Sequence, residues 1–334
     1  MTGSRTTLAG WLARMGFADA ARAESLLMND LGTTATELMS DPLVTAIAAA
    51  ADPDLALAGL ARLFSAAGRG RDALRTALRA EQDFRDRLTA VLGVSVGLAD
   101  HLARHPEDAG ILRGGADRQE AAALRACLLG AVGANPDDHE APVAAGGTGS
   151  ELAAALAAAY RRALLHLAAR DLTGAATVDV VGEELADIAA AVLEAALAVA
   201  RAELPPGATP GRLAVVAMGK CGGRELNYAS DVDVIFVAEP AKDEDETAAL
   251  ATAGRLAAGL IGVCARSTPE GSIFPVDPNL RPEGRAGPLV RTLTSHLAYY
   301  ERWAKTWEFQ ALLKARPVAG DLALGQVYAD TLGP

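Results

Sequence analysis

The chain has 334 residues, 51% of them hydrophobic, 4% aromatic and 22% charged, enough for about two domains and a sizeable core. Its 42 acidic and 31 basic residues leave a net charge of −11 without a basic run, which argues against a nucleic-acid partner. Cys127, Cys221 and Cys264 stand far apart, which fits reduced cytoplasmic thiols rather than a metal knuckle.

The remaining compositional signals are bland. Alanine and leucine dominate, which favours helix over sheet. His101, His105, His139, His166 and His296 form no zinc pattern. The start, MTGSRTTLAG, lacks the basic-then-apolar layout of a secretion signal. Alanine-rich runs such as 186–200 contain acids, so no membrane span is expected.

Residues 6–31 read as two short helices broken at Gly16. A helix over 53–68 opens on Pro53 and stops at Gly68. A helix pair follows from Arg71 to about His105, broken near Gly93 or Gly97, with Leu98 and Leu102 buried. His101 and His105 are four apart, but no third ligand accompanies them, so packing is the simpler reading. Residues 134–150 lose all periodicity and read as a mobile insertion. Ser150 is expected to cap a helix over 151–172. Another helix, 182–203, lines one apolar face with Leu185, Ile188, Val192, Leu193 and Val199. The stretch 204–211, LPPGATPG, reads as the linker between a helical region, 1–204, and an α/β domain, 205–334.

The second domain opens on RLAVVAMGKCGGRELNYASDVDVIFVAE, residues 212–239. This is a strand, a glycine turn, an irregular segment and a second strand. Residues two apart on a strand share a face, so Asp231 and Asp233 point the same way. Two carboxylates on an apolar strand repel unless they are solvated or share a cation, and hard cations take oxygen ligands. Gly219, Gly222 and Gly223 permit close backbone approach to a phosphate. After an acidic helix start at 239–246, residues 272–276 read as a strand leading to Asp277. That residue is either a turn former before Pro278 or a third acid. Thr292 or Thr294 opens a helix whose Tyr299, Tyr300, Trp303 and Trp307 are spaced for the core.

The run GKCGGRELNYASDVDVIFV resembles the signature of the bifunctional glutamine synthetase adenylyltransferase/adenylyl-removing enzymes. These are DNA polymerase β-like nucleotidyltransferases. Residues 92–107, 160–172 and 307–321 are similar to the same family, and Val276-Asp277 through Pro282 resembles its Val-Asp-x-x-Leu-Arg-Pro element. The gap from Gly222-Gly223 to Asp231 is shorter than in most of the superfamily. The resemblance implies an α+β fold, with a helical region ahead of a small mixed sheet flanked by helices. It implies Asp231, Asp233 and Asp277 as catalytic metal ligands for two Mg²⁺ ions. It also implies that Gly219, Lys220, Gly222, Gly223, Ser230 and Arg281 contact the nucleotide phosphates of ADP or ATP. Lys314, Arg316 and some of Arg161, Arg162 and Arg170 are further phosphate candidates.

In that family the N-terminal half removes AMP from a modified tyrosine of glutamine synthetase by phosphorolysis, giving ADP. The chain stops as another helix begins, and reads as a truncated N-terminal half in which the adenylyltransferase half is missing. Glutamine synthetase is then the protein substrate, and a PII-type signalling protein a family-implied regulator. Two rivals stand beside this reading. One is a nucleotidyltransferase adding AMP to the synthetase or another acceptor. The other is a silent nucleotide-binding regulatory module, which the presence of all three acids argues against.

Overall fold

A computed structural model describes residues 7–31, 34–115, 117–209 and 211–333. Two compact units emerge: Met1–Asp117 with Leu164–Thr177, and Arg118–Ala163 with Val178–Pro334. The expected boundary at 204 does not separate them, because the helices just before it pack with the sheet that follows. Pro210 of the expected linker and the chain start, residues 1–6, lie outside the described residues.

The first unit is helical: α1 (Leu8–Arg14), α2 (Ala20–Leu31), α3 (Ala35–Leu38), α4 (Pro42–Ala48), α5 (Pro53–Ala66), α6 (Arg71–Ala80), α7 (Gln82–Leu92) and α8 (Val96–Arg104). Local chemistry sets these ends. Pro53 occupies the first turn of α5, and the Asp52 carboxylate accepts from the Leu55 amide. Ser95 caps α8 in the same way. The expected break near Gly93 is present, whereas Gly97 lies inside α8. A second break at Glu81, where the backbone turns extended, had no glycine or proline to announce it. Leu60, Leu63, Phe64, Phe84, Leu88 and Leu102 form the core; each contributes about 1.5–3 kcal/mol by leaving water. Leu98 is buried as expected. His101 is buried with its Nε2 2.9 Å from Asp108 Oδ2.

The second unit holds α9 (Ala121–Ala131), part of α10 (Gly149–Leu172), α11 (Val178–Ala202), β1 (Gly211–Ala217), α12 (Gly219–Gly222), β2 (Val232–Pro240) and α13 (Glu246–Ala265). It continues through β3 (Val276–Asp277), β4 (Val290–Arg291), α14 (Leu293–Arg302), α15 (Thr306–Leu312), β5 (Arg316–Gly320) and α16 (Leu322–Leu332). The fold is thus α+β, mostly helical with a small mixed sheet. β1 runs antiparallel to both β2 and β5. β3 and β4 pair in turn with the other edge of β2, both parallel to it. The expected strand over 272–276 is reduced to Val276–Asp277, since only those two residues meet β2 in register.

Strand alternation divides the apolar residues between two faces. Ala214, Val216, Met218, Ile235 and Val237 bury against Tyr300, Leu312, Leu324 and Tyr328 from α14 to α16. Leu213, Val215, Val234 and Phe236 take the opposite parity, and α11 and α13 also pack on the sheet. Almost every residue of α11 from Val181 to Ala200 is buried, so it is a core helix rather than the one-faced helix expected. By length and composition, α10 and α13 are each apolar enough to cross a membrane, contrary to expectation. α13 buries Ala253, Leu256, Leu260 and Val263 inside the unit, as a core helix does.

Two further expectations need correction. Residues 134–150 are not a loose insertion. Arg125 donates to the carbonyls of Pro136 and Asp138, Arg201 donates to that of Pro142, and the Ala144 amide donates to Ala198 O. The helix after it is capped by Thr148 in a box with Glu151, two residues before Ser150. The aromatic spacing also misled. Tyr300 is buried, but α14 stops at Arg302, so Trp303 and Trp307 fall on different elements and are 72% and 51% exposed.

Candidate functional site

The site forms where β1 ends. The Met218 amide donates to Asp233 O at 2.9 Å, extending the β1–β2 ladder by one bond. Gly219 then turns with φ +53, and a Cβ there would lie 2.5 Å from Asp233 Oδ2. Only glycine brings the backbone this close to the carboxylate.

The next glycines serve packing more than ligand approach. A Cβ on Gly222 would meet Lys314 O at 1.9 Å and Ala217 O at 2.6 Å. The Gly222 and Gly223 amides donate to Met218 O and Gly219 O, so both are spent inside α12. Arg316 donates to Cys221 O (2.9 Å) and Gly222 O (3.2 Å), tying α12 to β5. Burial pushes its guanidinium down from the ordinary arginine value. Arg316 is therefore a brace for the glycine turn.

Asp231 lies just before β2 and is exposed; Asp233 is the second residue of the strand and half-buried. β3 pairs with β2 so that Asp277 stands beside Asp233 in parallel register. One carboxylate oxygen from each of Asp231, Asp233 and Asp277 lies within 4.8 Å of the others. Asp277 also opens a turn, its Oδ1 accepting from the Asn279 amide at 2.7 Å. Asp277 is thus both a turn former and a neighbour of the other two carboxylates.

The electrostatics is uneven. Burial first, then the charges of Asp231 and Asp277, push the Asp233 carboxyl above its ordinary value; Lys220 only partly offsets them. Lys220 donates to Asn227 Oδ1 at 3.1 Å. Three hard oxygen donors with surplus negative charge suit a divalent cation. That fit comes from the donor set and from the strain on Asp233.

The other expected contacts are more dispersed. Ser230 is half-buried and directly precedes Asp231. Arg281 donates to the carbonyls of Pro278, Gly287 and Pro288, closing the excursion between β3 and β4. Lys314 pairs with Glu225, and Arg161 donates to Ser272 O at 3.1 Å. Arg170 belongs to the other unit and is buried there. Sequence reading missed Arg224. It stands between Gly223 and Glu225 in the signature run, adopts φ 57, and pairs with the buried Asp187. The only hint was that a charged residue interrupts an otherwise constrained run.

The family model described as glutamate-ammonia ligase adenylyltransferase matches residues 85–330. Among curated proteins, the chain is 51% identical over 99% of its length to a protein of Streptomyces avermitilis named bifunctional glutamine synthetase adenylyltransferase/adenylyl-removing enzyme. Proteins of the same name from Streptomyces coelicolor and Nocardia farcinica are 51% and 47% identical over 99% and 97% of the chain. The chain spans 32% of the length of each of these three relatives, about a third.

Proposed function

The chain belongs to the glutamate-ammonia ligase adenylyltransferase family, and from that premise we propose that it removes AMP from an adenylylated tyrosine of glutamine synthetase by phosphorolysis, in the cytoplasm. The observation that carries the reading is the meeting of Asp231, Asp233 and Asp277 at the end of β1. The relatives' name covers both addition and removal. Removal is favoured by the helical region ahead of the signature, which resembles the removing half.

Asp231, Asp233 and Asp277 would hold Mg²⁺, two ions by family resemblance. When bound, the metal supplies charge neutralisation for the oxygens entering and leaving the adenylyl phosphorus. Phosphate already carries negative charge at neutral pH, so none of the three aspartates has to act as a general base. The leaving tyrosinate has a conjugate-acid pKa of about 10. Charge stabilisation therefore matters more than proton delivery. Lys220, at the exposed rim, would add positive charge to the phosphate path, and Ser230, next to Asp231 in sequence, would be a further phosphate contact. The Gly222 and Gly223 amides are already satisfied, so their part is to let α12 pack against β5 and so to hold Gly219 against Asp233.

The test is ADP release from adenylylated glutamine synthetase supplied with phosphate and Mg²⁺. Phosphate-dependent ADP, abolished by Asp231→Asn in a folded protein, is the expected outcome. Adenylylation of unmodified synthetase from ATP, with no ADP release, would reverse the direction. No product in either direction would leave the regulatory-module reading standing in its place.

A further inference from the structure

We infer that Asp187, on α11 and outside the signature, is the positioning residue that fixes the carboxylate site, acting through Arg224. Asp187 is 4% exposed, a costly place for a carboxylate unless it is fully paired. Arg224 grips it with both terminal nitrogens, Nη1 to Oδ1 and Nη2 to Oδ2, each at 2.9 Å. Arg118 Nη2 adds a third bond to Oδ2 at 2.8 Å. Two planar guanidinium groups thus meet one buried carboxylate, a geometry that holds direction as well as distance.

What Asp187 holds is the exit from the glycine turn. Arg224 follows Gly223 directly and has φ 57, a conformation that disfavours side chains with a Cβ. The ion pair supplies the restraint that keeps it there. Five residues earlier on α11, Gly182 lets the loop lie close: a Cβ on it would be 3.2 Å from Glu225 Cα. From this fixed point the chain runs through Leu226 and Asn227, the partner of Lys220, to Asp231. Asp233 and Asp277 are set by strand pairing, but Asp231 precedes β2 and has no ladder bond of its own from that pairing. The clamp therefore anchors the segment that leads to the least constrained of the three acids.

The functional consequence rests on the metal reading proposed above; the restraint itself does not. Two variants of the full 334-residue chain separate them. Asp187→Asn keeps the shape and removes the charge. Arg224→Gly keeps the left-handed backbone at no steric cost and removes the ion pair, so it preserves folding if Asp187→Asn does not. Backbone amide hydrogen exchange over residues 219–231 is compared with the rest of the second unit, and Mn²⁺ affinity is measured by titration. Exchange about tenfold faster in that segment alone, with Mn²⁺ affinity about tenfold weaker, is expected for both variants. The double variant should add little to either single one, as for residues acting through one contact. Unchanged exchange in 219–231 in a folded Arg224→Gly protein would overturn the clamp. Faster exchange with unchanged Mn²⁺ affinity would overturn its role at the site. A wild-type chain that binds no Mn²⁺ would overturn the metal reading, and exchange alone would then decide the clamp.

Discussion

Two irregular segments of the second unit invite comparison: residues 132–148, between α9 and α10, and residues 218–231, between β1 and β2. Both are rich in residues that defeat regular structure, and both are strapped down by arginines. In the first, Arg125 and Arg201 answer main-chain carbonyls, and Arg201 also meets the buried Glu194. In the second, Arg316 answers carbonyls and Arg224 answers Asp187. The difference is what remains. The second segment delivers Asp231 and Asp233 to a third carboxylate, and among the described residues none of the three acids is in an arginine ion pair, although the Arg281 charge acts on Asp277 from further off. Strapping makes a loop a part of the scaffold; leftover charge of one sign makes it a site.

Neutralising the leftover charge should have the largest effect on function. Asp231→Asn and Asp233→Asn should each lower metal-dependent turnover by about a thousandfold or more, in line with loss of a principal electrostatic contributor. Stability should move the other way for Asp233. Its carboxyl is raised in the fold, so the native state holds its proton more tightly than the unfolded chain does. The associated stability is present at low pH and lost as pH rises through the folded value. Asp233→Asn should therefore raise the metal-free thermal midpoint at neutral pH. A lower midpoint would show that the acid is structural.

Next in size come the straps. Gly222→Ala forces a methyl against Lys314 O and Ala217 O, and should cost about 3 kcal/mol or more in urea unfolding. Arg201→Met should cost about 3 kcal/mol, because it leaves Glu194 buried without its cation, yet it should leave metal affinity unchanged. If Arg201→Met weakened metal binding as much as Arg224→Gly does, the contrast between the segments would fail.

A titration gives the smallest effect at working pH. His296 is buried against the Tyr328 ring, and burial pushes its pKa down to about 4. The unfolded chain protonates near the ordinary value, so this contribution is complete above it and drains away as pH falls towards 4. The loss should approach about 3 kcal/mol across that window. His296→Phe should flatten this part of the curve of urea midpoint against pH. An unchanged slope would mean that other groups govern acid unfolding.

The site was more legible in the sequence than its surroundings. Strand parity alone put Asp231 and Asp233 on one face, and the resemblance singled out Asp277. What no local pattern could give is the parallel register of β2 with β3, which sets Asp277 beside Asp233 across more than forty residues of chain. The straps were invisible for the same reason: Arg201 to Pro142 and Arg316 to Cys221 are contacts between distant parts of the sequence. Composition identified residues 134–150 as a loop but carried no information about who would hold it. Trp303 and Trp307 failed differently. Their spacing makes a stripe only on one continuous helix, but α14 ends at Arg302 and Trp307 belongs to α15, which starts at Thr306. The glycines were read as room for a phosphate, whereas a side chain at Gly222 would meet backbone and one at Gly219 the Asp233 carboxylate.

The most direct test of the central claim is equilibrium Mn²⁺ binding, counted by electron paramagnetic resonance in the wild-type chain and in Asp231→Asn, Asp233→Asn and Asp277→Asn. The expected result is saturable binding in the wild type and its loss in each folded variant. Binding of equal stoichiometry and affinity in all four proteins would contradict the assignment of the three carboxylates to a metal.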